Sequence, residues 1–232
     1  MPSKLAVSRG LGTLTAGATF EQELRHVMWR RGRLALGVGL TLTILFNVLG
    51  RWVFRMPEPL ASPYAGWVPN VYLALLIPFA LGLALVWNDR WTSRQVALIV
   101  LGALVVSNLL DAATSTVLYP AQDNFLGAAF FLFLTAALVP WPLVYQVALG
   151  TVVTLSYPIF ALIGSARVPE VAAFWEAAGE DRFWHMHVDG TISMAVLAGV
   201  SVLVTRTLYT MRRQLHAASR IGNYVIEGEI GK

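Results

Sequence analysis

Between Leu34 and Leu208 the chain is a succession of apolar runs, several of them as long as the roughly 20 residues a helix needs to cross the hydrocarbon core of a bilayer. The runs fall at Leu34 to Phe54, Val68 to Trp87, Val96 to Tyr119, Phe125 to Leu138, Leu143 to Ile163 and Thr191 to Leu208. This pattern predicts an all-α membrane protein built as a six-helix transmembrane bundle. Composition agrees, because 56% of the 232 residues are apolar and only 13% are charged, with Gly and Pro scattered inside the apolar runs. The fourth run is the shortest and is joined to the fifth by Pro140-Trp141-Pro142, which predicts a helical hairpin.

Of the 17 basic residues, Lys4, Arg9, Arg25, Arg30, Arg31, Arg33, Arg90, Arg94, Arg206, Arg212, Arg213, Arg220 and Lys232 flank the runs on one side; Arg51, Arg55, Arg167 and Arg182 lie on the other. Cytoplasmic loops are enriched in Lys and Arg, so both termini are expected in the cytoplasm, in a cell inner or plasma membrane. The same clustering explains the net charge of +4 by insertion and excludes a nucleic-acid partner. The first 32 residues lack a long apolar run, so no cleaved signal peptide is expected, and residues 1 to 33 are expected to form a cytoplasmic N-terminal segment. Thr19 and Gln22 resemble a capping box, and Phe20, Leu24, Val27 and Met28 recur at helical spacing, predicting a short interfacial helix. Between the fifth and sixth spans the loop is acidic, with Glu170, Glu176, Glu180, Asp181 and Asp189. Val168 to Ala178 is expected to form a short helix on the outer surface, with Val171, Phe174 and Trp175 on one side.

Past the sixth span, Leu197, Val204, Leu208, Met211, Leu215 and Ala218 follow a 3-4 spacing with Ser201 in the missing place. Such a seam suits a helix that leaves the membrane as a linker, residues 209 to 220, and either forms a homodimer or lies on the lipid surface. From Asn223 to Lys232 the pattern changes. Tyr224, Ile226 and Ile230 alternate with Val225, Glu227 and Glu229, as in a half-buried strand, which predicts a short C-terminal strand-like tail.

The stretch Ile221-Gly222-Asn223-Tyr224-Val225-Ile226-Glu227-Gly228-Glu229-Ile230-Gly231-Lys232 resembles the opening of the catalytic domain of bacterial eukaryotic-type serine/threonine protein kinases. In that family an aromatic and apolar strand leads into a Gly-rich loop over the ATP phosphates. The resemblance implies that Ile230 touches adenine, that Gly231 is the first loop glycine, and that residues 221 to 232 begin a truncated kinase domain. It also implies ATP and Mg as cofactors of that domain, with no catalytic residue and no cofactor in the present chain.

Inside the third run, Asp111 stands among Ser107, Asn108, Thr114, Ser115 and Thr116. A carboxylate at membrane depth costs about 2.5 to 3.5 kcal/mol on insertion scales, so it is expected to face the bundle, paired with Arg51, as a structural ion pair or as a ligand or proton site. Asn47, Tyr145 and Gln146 are expected to make hydrogen bonds between helices. Outside the sixth span, His185, His187 and Asp189 come nearest to a metal set if the segment is extended, with Glu180 or Asp181 as a further ligand. The competing reading is anchoring at the interface beside Phe183 and Trp184, and no metal is assigned. With zero cysteines, thiolate sites and disulfides are excluded.

The sequence thus points to the membrane-anchoring and sensory region of a serine/threonine kinase, responding to an unidentified ligand. The alternatives are a small six-span transporter or channel with Asp111 in its pathway, and the membrane region of another signalling enzyme such as a nucleotide cyclase.

Overall fold

A computed structural model describes residues 25–45, 68–87, 90–120 and 125–230. Those residues form seven α-helices and no strand. They are α1 (residues 25–45), α2 (Val68–Val86), α3 (Ser93–Leu118), α4 (Phe125–Leu138), α5 (Leu143–Arg167), α6 (Pro169–Ala178) and α7 (Glu180–Ile230). Three helical segments, Ser93–Leu118, Leu143–Arg167 and Glu180–Arg212, are long and apolar enough to cross a membrane.

Local chemistry sets several boundaries. The Thr92 hydroxyl accepts from the Gln95 backbone N–H at 3.3 Å while the Thr92 N–H donates to Gln95 Oε1 at 2.9 Å, a reciprocal cap that starts α3. Pro169 occupies the first turn of α6, where its missing N–H costs nothing. Gly179 turns the chain from α6 into α7 at φ +91°, a left-handed conformation that strains any residue carrying a Cβ. The predicted hairpin is present: Val139 to Pro142 joins α4 to α5, and Trp141 is fully buried beneath it.

α5 packs most extensively against α7 and α3, α3 also packs on α2, and α7 also packs on α4. Phe79 of α2 stacks on Phe131 of α4 at 5.9 Å. α1 lies against α2 and α3, since Gly32 faces Val96 and Val100 while Gly39 faces the Phe79 ring. Leu36, Phe79, Val100, Leu132, Leu149 and Met194 form the core. The outward faces are apolar as well: Leu73, Ile77, Leu81 and Leu85 make a one-turn-spaced stripe down α2, each 47% to 61% exposed. A stripe this long has no favourable partner in water.

Several expectations are corrected. α1 runs without interruption across Arg33 and Leu34, so over residues 25–45 there is no boundary between an interfacial helix and a first span. α6 turns Val171 and Trp175 inward against Ala161 and Phe183, so its apolar face is covered by protein. Residues 180 to 190, read from the sequence as acidic loop, are the first turns of α7; Glu180 and Asp181 favour the positive end of the helix dipole. The strand-like tail is overturned too, because α7 continues as helix to Ile230. An isolated strand leaves its backbone groups without protein partners, whereas an existing helix grows by one internal hydrogen bond per residue with no new nucleus.

Candidate functional site

Polar contacts join the helices at two levels. Asp111 of α3 accepts a 2.5 Å hydrogen bond at Oδ2 from the Tyr157 hydroxyl of α5. One turn along α3, Asn108 Nδ2 donates to Ser156 Oγ at 2.8 Å. α3 and α5 are therefore clasped by two successive polar rungs, and the expectation that Asp111 faces a neighbouring helix holds. Arg51, its expected partner, lies outside the described residues, as does Asn47. Tyr157 was missed because a tyrosine in an apolar run is usually read as packing; its hydroxyl is the signal that could have been used.

If the contact between Asp111 and Tyr157 carries energy, the Asp111→Asn and Tyr157→Phe substitutions are not additive. A double-mutant cycle on unfolding in detergent is expected to give a coupling of about 1 kcal/mol. Strictly additive losses would show that the short contact contributes nothing.

At the second level Gln146 is fully buried. Its Nε2 donates to the Leu132 carbonyl of α4 at 3.1 Å and to Ser201 Oγ of α7 at 3.0 Å, while its Oε1 accepts from Trp141 Nε1 at 2.9 Å. One side chain thus ties α4, α5, α7 and the hairpin turn. The expected interhelical bonding of Gln146 is present. Tyr145 is half-buried and packs its ring near Trp141.

The histidines do not converge. Because the segment is helical, His185 and His187 point to different sides. His185 is exposed beside Asp189, Nδ1 to Oδ2 at 3.5 Å. His187 is buried between Trp175 and Phe183, with its Nδ1–H donated to the Phe183 carbonyl at 2.8 Å. Among the described residues no three His, Asp or Glu side chains gather as a metal set. The extended-loop geometry that would have aligned the two imidazoles is therefore corrected; α6 is pinned to α7 by an aromatic cluster instead.

At the opposite end, Arg33 of α1 lies 3.4 Å from the Trp29 ring centroid and 4.8 Å from that of Trp87. Its guanidinium donates to the Val86 carbonyl at 3.2 Å and to the Trp87 carbonyl, closing the end of α2. Arg25 Nε donates to the Trp91 carbonyl, and Trp91 Nε1 donates to the Leu85 carbonyl at 2.7 Å. This clamp was not foreseen; tryptophans and arginines clustered at the ends of neighbouring apolar runs were its signal.

The 3-4 seam of α7 divides in two. Its first part faces the bundle, where Leu197 packs on the core and Ser201 is fully buried. Past the bundle the same seam emerges uncovered, with Met211 51% and Leu215 66% exposed. Ile230, the expected adenine contact, is the last residue of α7, and Gly231 lies outside the described residues. Comparison with known proteins finds no matching family model, no matching curated protein and no matching solved structure.

Proposed function

We propose that this chain is the membrane region of a signalling protein, with six spans and both termini in the cytoplasm, and that α7 transmits changes in the bundle to a cytoplasmic serine/threonine kinase domain. The observation that carries the proposal is the continuity of α7. It begins at the Gly179 turn, passes through the bundle beside α5 and α4, and runs on to Ile230 as one helix of 51 residues. At about 1.5 Å per residue such a helix is about 76 Å long, against about 30 Å of hydrocarbon. A rotation or tilt at one end therefore reaches the other without a hinge.

The apolar outer stripe of α2 supports lipid as the surrounding solvent, and the uneven placement of arginines supports the orientation. The kinase assignment rests on the residue pattern from Ile221 to Lys232. In this reading ATP and Mg bind the kinase domain that α7 leads into, and two copies meet through Met211 and Leu215. A transporter reading would require Asp111 to line a pathway, whereas its carboxylate is engaged between α3 and α5.

The coding frame beyond Lys232 tests the kinase assignment. Completion of a Gly-x-x-Gly pattern immediately downstream, and ATP-dependent autophosphorylation of the longer product, are the expected results. A stop codon at that point would overturn it.

A further inference from the structure

On the side of the bundle that carries α6, helices α5 and α7 leave a groove of about 180 Å³ between them. Pro158 and Leu162 of α5 form one wall, and Val188 and Ile192, one turn apart on α7, form the other. Leu162, Val188 and Ile192 are 45% to 58% exposed, so the groove opens to the surroundings of the bundle. An apolar cavity of about 150 Å³ takes up a benzene ring, so this space fits one six-membered ring with small substituents.

The groove carries few polar groups, and every side-chain donor among them is already used. The Thr191 hydroxyl donates to the His187 carbonyl at 2.6 Å, and Trp184 Nε1 donates to Glu180 Oε1 at 3.2 Å. His187 lines the groove while only 9% exposed. Its Nδ1–H is donated to the Phe183 carbonyl at 2.8 Å, so the neutral ring keeps a lone pair on Nε2, on the far side of the ring from that carbonyl. No described residue donates to Nε2. A buried acceptor without a donor is unfavourable, and the groove is the open space from which a donor can reach it. Phe183 and Trp184, packed edge to face at 5.4 Å, also line the groove and favour an aromatic occupant.

We propose that this groove binds a lipid-soluble molecule of one aromatic ring bearing a hydroxyl, a phenol in its simplest form, whose O–H donates to His187 Nε2. A carbonyl compound or a carboxylate, which brings only acceptors, finds no free side-chain donor there. Because the groove bridges α5 and α7, the two helices that pack most extensively, its occupant fixes the position of α7 in the bundle. As the ligand that moves α7 the phenol rests on the signalling reading above, whereas its binding is measured without a kinase domain.

Fluorine NMR titration of the full chain in detergent with para-fluorophenol and with para-fluorotoluene is the test, each referred to its partition into empty micelles. The phenol is expected to bind more tightly by roughly fivefold, the equivalent of about 1 kcal/mol for one neutral hydrogen bond. His187→Phe, which keeps a ring between Trp175 and Phe183, is expected to remove that preference and to leave the toluene unaffected. Ile192→Trp, at an exposed position, is expected to fill the groove and abolish binding of both. Equal binding of the two probes to the parent protein would overturn the hydroxyl donor, with no variant needing to fold. Binding that survives Ile192→Trp would overturn the groove as the site. Binding as expected alongside a stop codon after Lys232 would support the site and refute only the kinase reading.

Discussion

Replacing Gln146 with leucine is expected to lower the unfolding free energy of the bundle by about 2 kcal/mol, the scale of a buried polar group left without a partner. Leucine fills much of the same volume, so the loss comes from the hydrogen bonds. Trp141 Nε1 loses its acceptor inside a site with no exposed surface, and the Leu132 carbonyl loses a donor. Hydrogen bonds between membrane helices average only about 0.6 kcal/mol, which is why a single contact would not suffice; here one amide serves three partners. Ser201→Ala should cost less, since Ser201 itself donates to the Ala198 carbonyl at 2.8 Å and Gln146 keeps its other two contacts. Thermal unfolding in detergent ranks the two variants. A Gln146→Leu protein as stable as the parent would show that the network holds nothing together.

Gly150→Val is expected to cost about 3 kcal/mol, the upper end of the overpacking range. α5 and α7 approach so closely at Gly150 that a Cβ there would meet Ala198 Cβ at 3.0 Å and the Ala198 Cα at 3.7 Å. The obstacle is the Ala198 Cβ, which is fixed to the facing helix and cannot rotate aside as the end of a long side chain can. The smaller change Gly150→Ala should be partly rescued by Ala198→Gly, which reopens the same space. Absence of rescue would place the strain elsewhere than in the contact between the two helices.

The two positions illustrate what the sequence discloses. Apolar run lengths located the helices, because crossing distance and period are properties of each segment alone. The partners were less legible. That Gln146 bonds across helices followed from its polarity, but nothing local indicated that Trp141, Leu132 and Ser201 would meet it. A glycine inside an apolar run marks a close approach only where another helix faces it: Gly39 faces the Phe79 ring, while nothing stands within 4 Å of a Cβ at Gly37 or Gly199. The tight contact between α5 and α7 falls at Gly150 instead, and only the packing of two helices could show it.

The tail and the histidines failed for a related reason. Period-2 alternation from Tyr224 to Ile230 and the alternate placement of His185 and His187 are strand arguments, valid where neighbouring strands exist. Both segments instead extend a helix already nucleated in the bundle. The Arg33 clamp was hidden because the charge counted toward topology was also a hydrogen-bond donor to the end of α2.

The course of α7 across the membrane is the central claim, and the absence of native cysteine makes it directly measurable. Single cysteines at Ala177, exposed on α6, and at Gln214, exposed on α7 beyond the bundle, can be offered an impermeant thiol reagent in intact cells and again after permeabilisation. The predicted result is labelling of Ala177→Cys in intact cells and of Gln214→Cys only after permeabilisation. Labelling of Gln214→Cys in intact cells would contradict the account.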